Sequence, residues 1–310
     1  MPLISKPSNL NKIWSVNGVN TAPTDVKINN GFVVEIPPYQ WFNYIENKQD
    51  QAIAHINQMG IPVWDSQTEY QAGKSQVQGS DGKIYRAFLT TTNVNPVGDS
   101  SGSWFDPNES GMVVLTSVGS STWTVPPILR SGFKTAKVTV IGAGGSGGSG
   151  TGPTTTGTRG AGGGAGGTAI AKVSLAGVAS VPVVIGAGGT RAFVGNTNGQ
   201  AGGNSVFNST ITGVGGSGGS RYNSTTAPAG GFGGTASGGQ LNLRGGDGSD
   251  GPVVTADGIG GSGDGGVSSM GGGTRGSTSS VTTVPAYGAG GGGGVTGSNP
   301  GGNGVVIIEY

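Results

Sequence analysis

The sequence has no cysteine, and a single histidine, His55, stands in its 310 residues. Without cysteine there is neither a disulfide framework nor a thiolate metal site. With the lone imidazole inside a helical seam, no nucleophile–base triad or zinc site is in view. Basic charge is not in excess: 16 Lys and Arg face 15 Asp and Glu, which argues against nucleic acid as a partner. Beyond residue 110 the only acids are Asp247, Asp250, Asp257, Asp264 and Glu309, too few to line the groove of a depolymerase. No run of about 18 apolar residues occurs, and the opening "MPLISKPSNLNKIW" lacks the apolar stretch of a secretory leader. The expectation is a soluble, non-enzymatic chain with no cofactor and no metal.

What the chain does have is glycine. Eight of its 68 glycines fall in residues 1–110 and sixty in the 200 that follow, so two different materials meet near residue 110. Three regions are expected: 1–60, 61–107 and 108–310. The expected fold class is mostly β and irregular, with one short helix in the first region, a small β module in the second, and strands plus packed glycine helices in the third.

In residues 1–60, "QWFNYIENKQDQAIAHINQMG" places Phe42, Gln49 and Ile56 at one heptad position and Ile45, Ala52 and Met59 at the other. Gly60 and Pro62 end the pattern. Such a seam packs either on its own domain or in a short parallel bundle of identical chains. The second is favoured, because little apolar sequence nearby could cover the stripe.

Turn signals at Ala72-Gly73 and Ser80-Asp81-Gly82 divide residues 61–107 into short strands. Trp64, Asp65, Tyr70, Gly73, Val77, Gly82, Tyr85, Ala87 and Trp104 together resemble the pattern of small chitin-binding carbohydrate modules. That family commonly stacks sugar on two aromatics just after the Ala87 position, where this chain has Phe88 and Leu89. A structural spacer is therefore favoured over a working lectin, with both tryptophans in its core.

The third region alternates strands with glycine tracts. "STWTVPP", "FKTAKVTVI", "TAIAKVSL", "VPVVI" and "GVVIIEY" carry strand patterns. Tracts such as 142–150, 160–167, 213–219 and 288–294 read as GGx or GxG, a period of three rather than of two or 3.6. A polyproline-II-type helix has that period and no internal hydrogen bonds, so all its N–H and C=O groups point outward. Glycine lets such helices approach until they satisfy one another. The competing reading is a disordered Gly/Ser spacer, against which the interleaved strands stand. Glycine abundance also creates false motifs: Gly142, Gly144 and Gly147 satisfy G-x-G-x-x-G, but neither a helix nor an acid follows at the required place. Asp247 and Asp250 read as turn formers on a glycine loop.

Glycine tracts bounded by "FKTAKVTVIGAGGSGG" and "GGGGGVTGSNPGGNGVVIIEY" resemble the glycine-rich domain of bacteriophage tail-fibre adhesins, and the leading "NKIWSVNGVNTAPTDVKINNGFVVEIPPYQWFNYIENKQDQAIAHINQMGIPVWD" is similar to the start of phage tail-fibre proteins. The resemblance implies a virion protein, made in the host cytoplasm, whose polyglycine-II sandwich presents loops to a host bacterial receptor. An outer-membrane protein is implied ahead of a surface glycan. It also implies other tail proteins as partners of residues 1–60 and a homotrimer formed through the Phe42, Ile45, Gln49, Ala52, Ile56 and Met59 seam. The alternative is an assembly or adaptor protein whose glycine-rich domain spaces or docks tail parts. Loops on a rigid scaffold concentrate binding residues. The expected receptor contacts are Arg159, Arg191, Phe193, Arg221, Tyr222, Arg275 and Tyr287, in the segments 151–159, 190–198, 220–229, 252–257 and 274–287.

Overall fold

The computed structural model describes residues 12–33, 35–150, 159–193, 196–223, 226–252, 261–277 and 283–310. They fall in two units, Met1–Pro107 and Asn108–Tyr310. The protein is mostly β, with three sheets and three helices among the described residues.

In the first unit, helix α1 (Asp25–Asn30) precedes helix α2 (Tyr39–Met59). Pro38 leads into α2, and Gly60, at φ 73°, ends it by donating its N–H to the Ile56 carbonyl at 2.8 Å. The helix is 21 residues long and begins one residue before the expected segment, at Tyr39, while α1 was not foreseen because six residues show no periodicity. One stripe of α2 is polar and holds the segment before it. Trp14 donates its indole N–H to Asn43 and its backbone N–H to Asp50, while Asn47 donates to the Trp14 carbonyl. The opposite stripe is the apolar seam, with Phe42, Ile56 and Met59 exposed.

The β module follows with β1 (Gln76–Gln78), β2 (Ile84–Ala87) and β3 (Trp104–Phe105) in one antiparallel sheet. Tyr70, Val77, Ala87 and Trp104 form its core, with Trp64, Tyr85 and Val94 packed against them. The Trp104 indole donates to the Val94 carbonyl at 2.9 Å, which lets a large aromatic be buried without an orphan donor.

The second unit contains two five-stranded antiparallel sheets. Its strands are β4 (Met112–Leu115), β5 (Gly119–Thr124), β6 (Ala136–Ile141), β7 (Thr168–Val173), β8 (Ser180–Ile185), β9 (Ser205–Phe207), β10 (Ile211–Gly213), β11 (Ala236–Ser237), β12 (Leu241–Leu243) and β13 (Val305–Glu309). One sheet runs β11-β10-β9-β8-β5 and the other β12-β7-β6-β13-β4. They pack face to face around Val138, Val140, Val181, Val183, Phe207 and Ile308. Helix α3 (Pro127–Arg130) adds Ile128 and Leu129 to this apolar base.

From this base the strands run into the glycine tracts without a loop. β6 pairs with β7 up to Ile141 opposite Thr168, and the next bond is Gly142 N–H to the Gly167 carbonyl at 2.9 Å. Beyond it the chain turns by a third of a revolution per residue. Gly142, Gly145 and Gly148 donate to Gly167, Gly164 and Ala161; Ala143, Ser146 and Ser149 donate to Gly203, Gln200 and Thr197; Gly144 and Gly147 donate to Gly302 and Asn299, all at 2.8–3.2 Å. Segment 159–167 repeats the rotation: Gly160, Gly163 and Gly166 donate to Gly294, Gly291 and Gly288; Ala161, Gly164 and Gly167 to Ser220, Ser217 and Val214; Gly162 and Ala165 to Ser249 and Gly246. Three residues per turn with every bond leaving the segment is the polyglycine-II arrangement.

Each of these two segments donates to three neighbours and accepts from three more. Segment 142–150 accepts from Gly189, from Gly216 and Gly219, and from Gly291 and Gly294; segment 159–167 accepts from Gly142, from Gly231 and Gly234, and from Gly263 and Gly266. Both are therefore central to a hexagonal array, and both are buried along the described length. The interior is backbone rather than side chain. A Cβ built on Gly163 would lie 2.3 Å from the Gly145 carbonyl oxygen, and one on Gly144 2.0 Å from that of Ala289.

Outer segments lack neighbours on one side, and Asn and Asp side chains stand in for them. Asn204 and Asn198 accept from the N–H groups of Gly215 and Arg221, Asp250 and Asp247 from Gly230 and Gly233, Asp264 from Gly276, and Asn303 from Gly188, all at 2.7–3.0 Å. Asp247 and Asp250 are thus not turn formers, which corrects the sequence reading. They stand three residues apart on one segment and reach across to its neighbour.

Three outcomes are expected. Gly163→Val or Gly144→Val destabilises the second unit by about 3 kcal/mol or more, because backbone on both sides cannot yield. Gly272→Ala, at a site with nothing within 4 Å of the added carbon, leaves thermal unfolding almost unchanged. Asp247→Ala with Asp250→Ala costs about 1 kcal/mol for each lost acceptor, read as a lower melting temperature by circular dichroism, and Asp→Asn at both sites restores it.

Candidate functional site

Segments that leave the strand base reach their far ends together, and Ser149 and Gly150 tie those ends into one tip. The Ser149 hydroxyl donates to the Phe193 carbonyl at 3.0 Å, and its N–H to the Thr197 carbonyl at 3.0 Å. The Ser149 carbonyl accepts from the Tyr222 N–H at 3.4 Å, and Gly150 accepts from Asn196 and donates to Gly294. The described residues at the ends of the 190–198 and 220–229 loops stand on adjacent members of the array, which gives their side chains a fixed frame.

Of the expected contacts, Arg191, Phe193, Arg221 and Tyr222 come together at this tip. Phe193 is 68% exposed, so it does not plug the bundle end, and the Arg191 guanidinium lies over its ring at 4.9 Å. This cation–π contact sets a half-buried Arg191 against the exposed Phe193 ring. Arg221 is fixed at its backbone by Asn198, and its Nη1 donates to the Asn196 carbonyl at a long 3.4 Å. Between the two loops lies an open cleft of about 530 Å³, lined by Asn196, Asn198, Arg221, Tyr222 and Pro228 among others.

Other expectations are corrected. Arg159 starts a central segment at the tip but is only 7% exposed, and its Nε and Nη1 find no hydrogen-bond partner among the described residues. A guanidinium enclosed by the array is not a surface contact. Tyr287 lies at the opposite end: its carbonyl accepts from Ser268 in a turn, and its neighbour Gly288 abuts Ile141, the last residue of β6. Ser277 donates to Gly293 toward the tip while Gly288 stands at the strand base, so the ends of what the sequence reading took for one tip loop lie at opposite ends of the bundle. Arg275 is exposed on the flank, in a groove of about 510 Å³ with Thr274, Val284 and Asn299. Residues 151–158, 194–195, 224–225, 253–257 and 278–282 of the expected loops lie outside the described residues.

Among the described residues no carboxylate pairs with Arg191, Arg221 or Arg275, while Asp247, Asp250 and Asp264 are held by glycine N–H groups on the flanks. The sequence reading missed Asn196 and Asn198. Their signal was weak: Asn198 and Asn204 share the three-residue spacing of outward positions, and Asn196 takes φ 57°, a conformation asparagine tolerates.

In the first unit, the residues that resemble a carbohydrate module mostly build its core. Phe88 is half-buried and Leu89 exposed, with both N–H groups donated to the Ser103 carbonyl. No aromatic pair is offered there.

No curated protein matches the sequence. A family model described as a glycine-rich domain matches residues 116–310, the span that holds nine of the ten strands of the second unit and the whole hexagonal array. With more than half of its length accounted for in this way, the chain belongs to the glycine-rich domain family.

Proposed function

We propose that the protein is a bacteriophage tail-fibre or tail-tip adhesin that binds a receptor on the host bacterial surface through the loops at the end of its glycine bundle. The observation that carries this reading is the tip itself. Aromatic and arginine side chains on two loops, Phe193 with Arg191 and Tyr222 with Arg221, are presented on a backbone-packed frame, and no carboxylate pairs with either arginine among the described residues. Interfaces are anchored by residues of this kind. A spacer or docking adaptor in the tail has no use for them, which sets the adhesin reading ahead of that alternative.

In this reading residues 1–60 attach the protein to the other tail proteins, and three copies associate through α2. The seam leaves Phe42, Ile56 and Met59 exposed while the polar stripe opposite is occupied, and most helical stability in proteins comes from packing of such an apolar face. The β module serves as a spacer.

Replacing residues 190–198 and 220–229 with those of another glycine-rich fibre changes which bacteria adsorb the protein and leaves its melting temperature within a few degrees. Unchanged adsorption on the original host sinks the receptor assignment. Sedimentation at micromolar concentration gives a trimer, and Ile45→Asp converts it to monomer without altering unfolding of the glycine-rich unit. A monomeric starting protein refutes the seam.

A further inference from the structure

We propose that a second copy of this chain covers the open edge of the sandwich, with β4 of one copy pairing strand to strand with β5 of the next. The proposal rests on the reading that copies associate through α2, which brings these edges within reach of one another.

β4 and β5 end their sheets on the same side of the sandwich, and a slot of about 300 Å³, lined by Leu115 and Trp123 among others, opens between them. The ladders fix which backbone groups are left open. Gly111 and Tyr310 exchange both of their bonds, so Val113 and Leu115 bond to β13, while Met112, Val114 and Thr116 face away from it. Val125 donates to Ala179, so Ser121 and Trp123 bond to β8, while Ser120, Thr122 and Thr124 face away. Pro182, which has no N–H to give, stands opposite Thr122 as that alternation requires. None of these outward residues has a backbone hydrogen bond among the described residues.

Unpaired edges are normally blunted by charge, proline or short length. The opposite side of the sandwich is blunted in this way: β11 and β12 hold two and three residues, and Arg244 follows β12 at once. On the open side β4 and β5 are four and six residues long, and residues 111–125 include no charged residue and no proline. Met112 is 67% and Val114 48% exposed. Such an edge is a template for another strand.

Two features select a second copy as that strand's source. Each copy has one edge of each kind, so a closed ring of copies leaves neither unpaired, whereas a partner's strand laid on one edge leaves the other open. Direction agrees as well. β4 runs toward the glycine tracts as β6 does, and β5, antiparallel to β8, runs away from them. Copies rotated about an axis along the bundle therefore bring the two edges together antiparallel. In the register that uses every open group, Met112 meets Thr124, Val114 meets Thr122 and Thr116 meets Ser120.

The full-length protein is tested by hydrogen–deuterium exchange and, since it has no cysteine, by disulfide trapping. In the wild-type trimer the outward amides of 112–124 exchange about 100-fold or more slowly than in the Ile45→Asp monomer. Val114→Cys with Thr122→Cys gives covalently linked dimers and trimers on oxidation, because such a pair holds its Cα atoms about 5.5 Å apart, and neither single variant does. Fast exchange of these amides in a trimer, with no linked product, overturns the proposal and leaves the α2 seam standing. Slow exchange that persists in an Ile45→Asp monomer puts the cover within one chain and overturns it also. Linked trimers that survive Ile45→Asp support the edge pairing and sink the seam instead, and a monomeric wild type removes both.

Discussion

A polyglycine-II helix cannot satisfy any of its own backbone groups, and the second unit is organised around that constraint. Every interior N–H must find a carbonyl on another segment, so no tract is stable by itself and the array forms as a whole. The strands set the starting register, since β6 and β7 deliver Gly142 opposite Gly167. From there the three-residue turn distributes donors among neighbours in fixed order. The net worth of one such bond is about 0.5–1.5 kcal/mol against an ordering cost of about 1–2 kcal/mol per residue. The apolar base between the sheets is the additional contribution that lets the array hold.

Where the array ends sideways, the constraint returns in another form. Outer N–H groups without a neighbouring segment meet Asn or Asp side chains instead. A bundle that left these rows open would present donors to any extended chain, much as an open sheet edge does. Asp247 and Asp250 on one segment, and Asn198 and Asn204 on another, close the groove beside them.

Much of this was legible in the sequence. The period of three in the tracts and the strands "FKTAKVTVI", "VPVVI" and "GVVIIEY" pointed to packed glycine helices on a β base, and Trp104 belonged to the core of the small module. Strands β9 to β12 were not foreseen, because two or three residues such as Leu241–Leu243 carry no countable alternation. The tip was half legible. Exposed Phe193 and Arg221 were found from residue type and loop position, but the burial of Arg159 and the displacement of Tyr287 depend on which segment lies beside which. Hexagonal neighbours are separated by irregular distances along the chain, 144 beside 302 and 162 beside 249, and no local pattern records that order.

Segments that span from strand base to tip, with every hydrogen bond directed across them, have a mechanical consequence. Tension applied between base and tip is borne by the rows in shear, so many bonds must give way together before any segment slides. A helix bonded along its own axis would instead stretch one turn at a time. The same rotation that satisfies the backbone therefore makes the bundle stiff under pulling along its length, while the loops at its end remain free to differ in sequence.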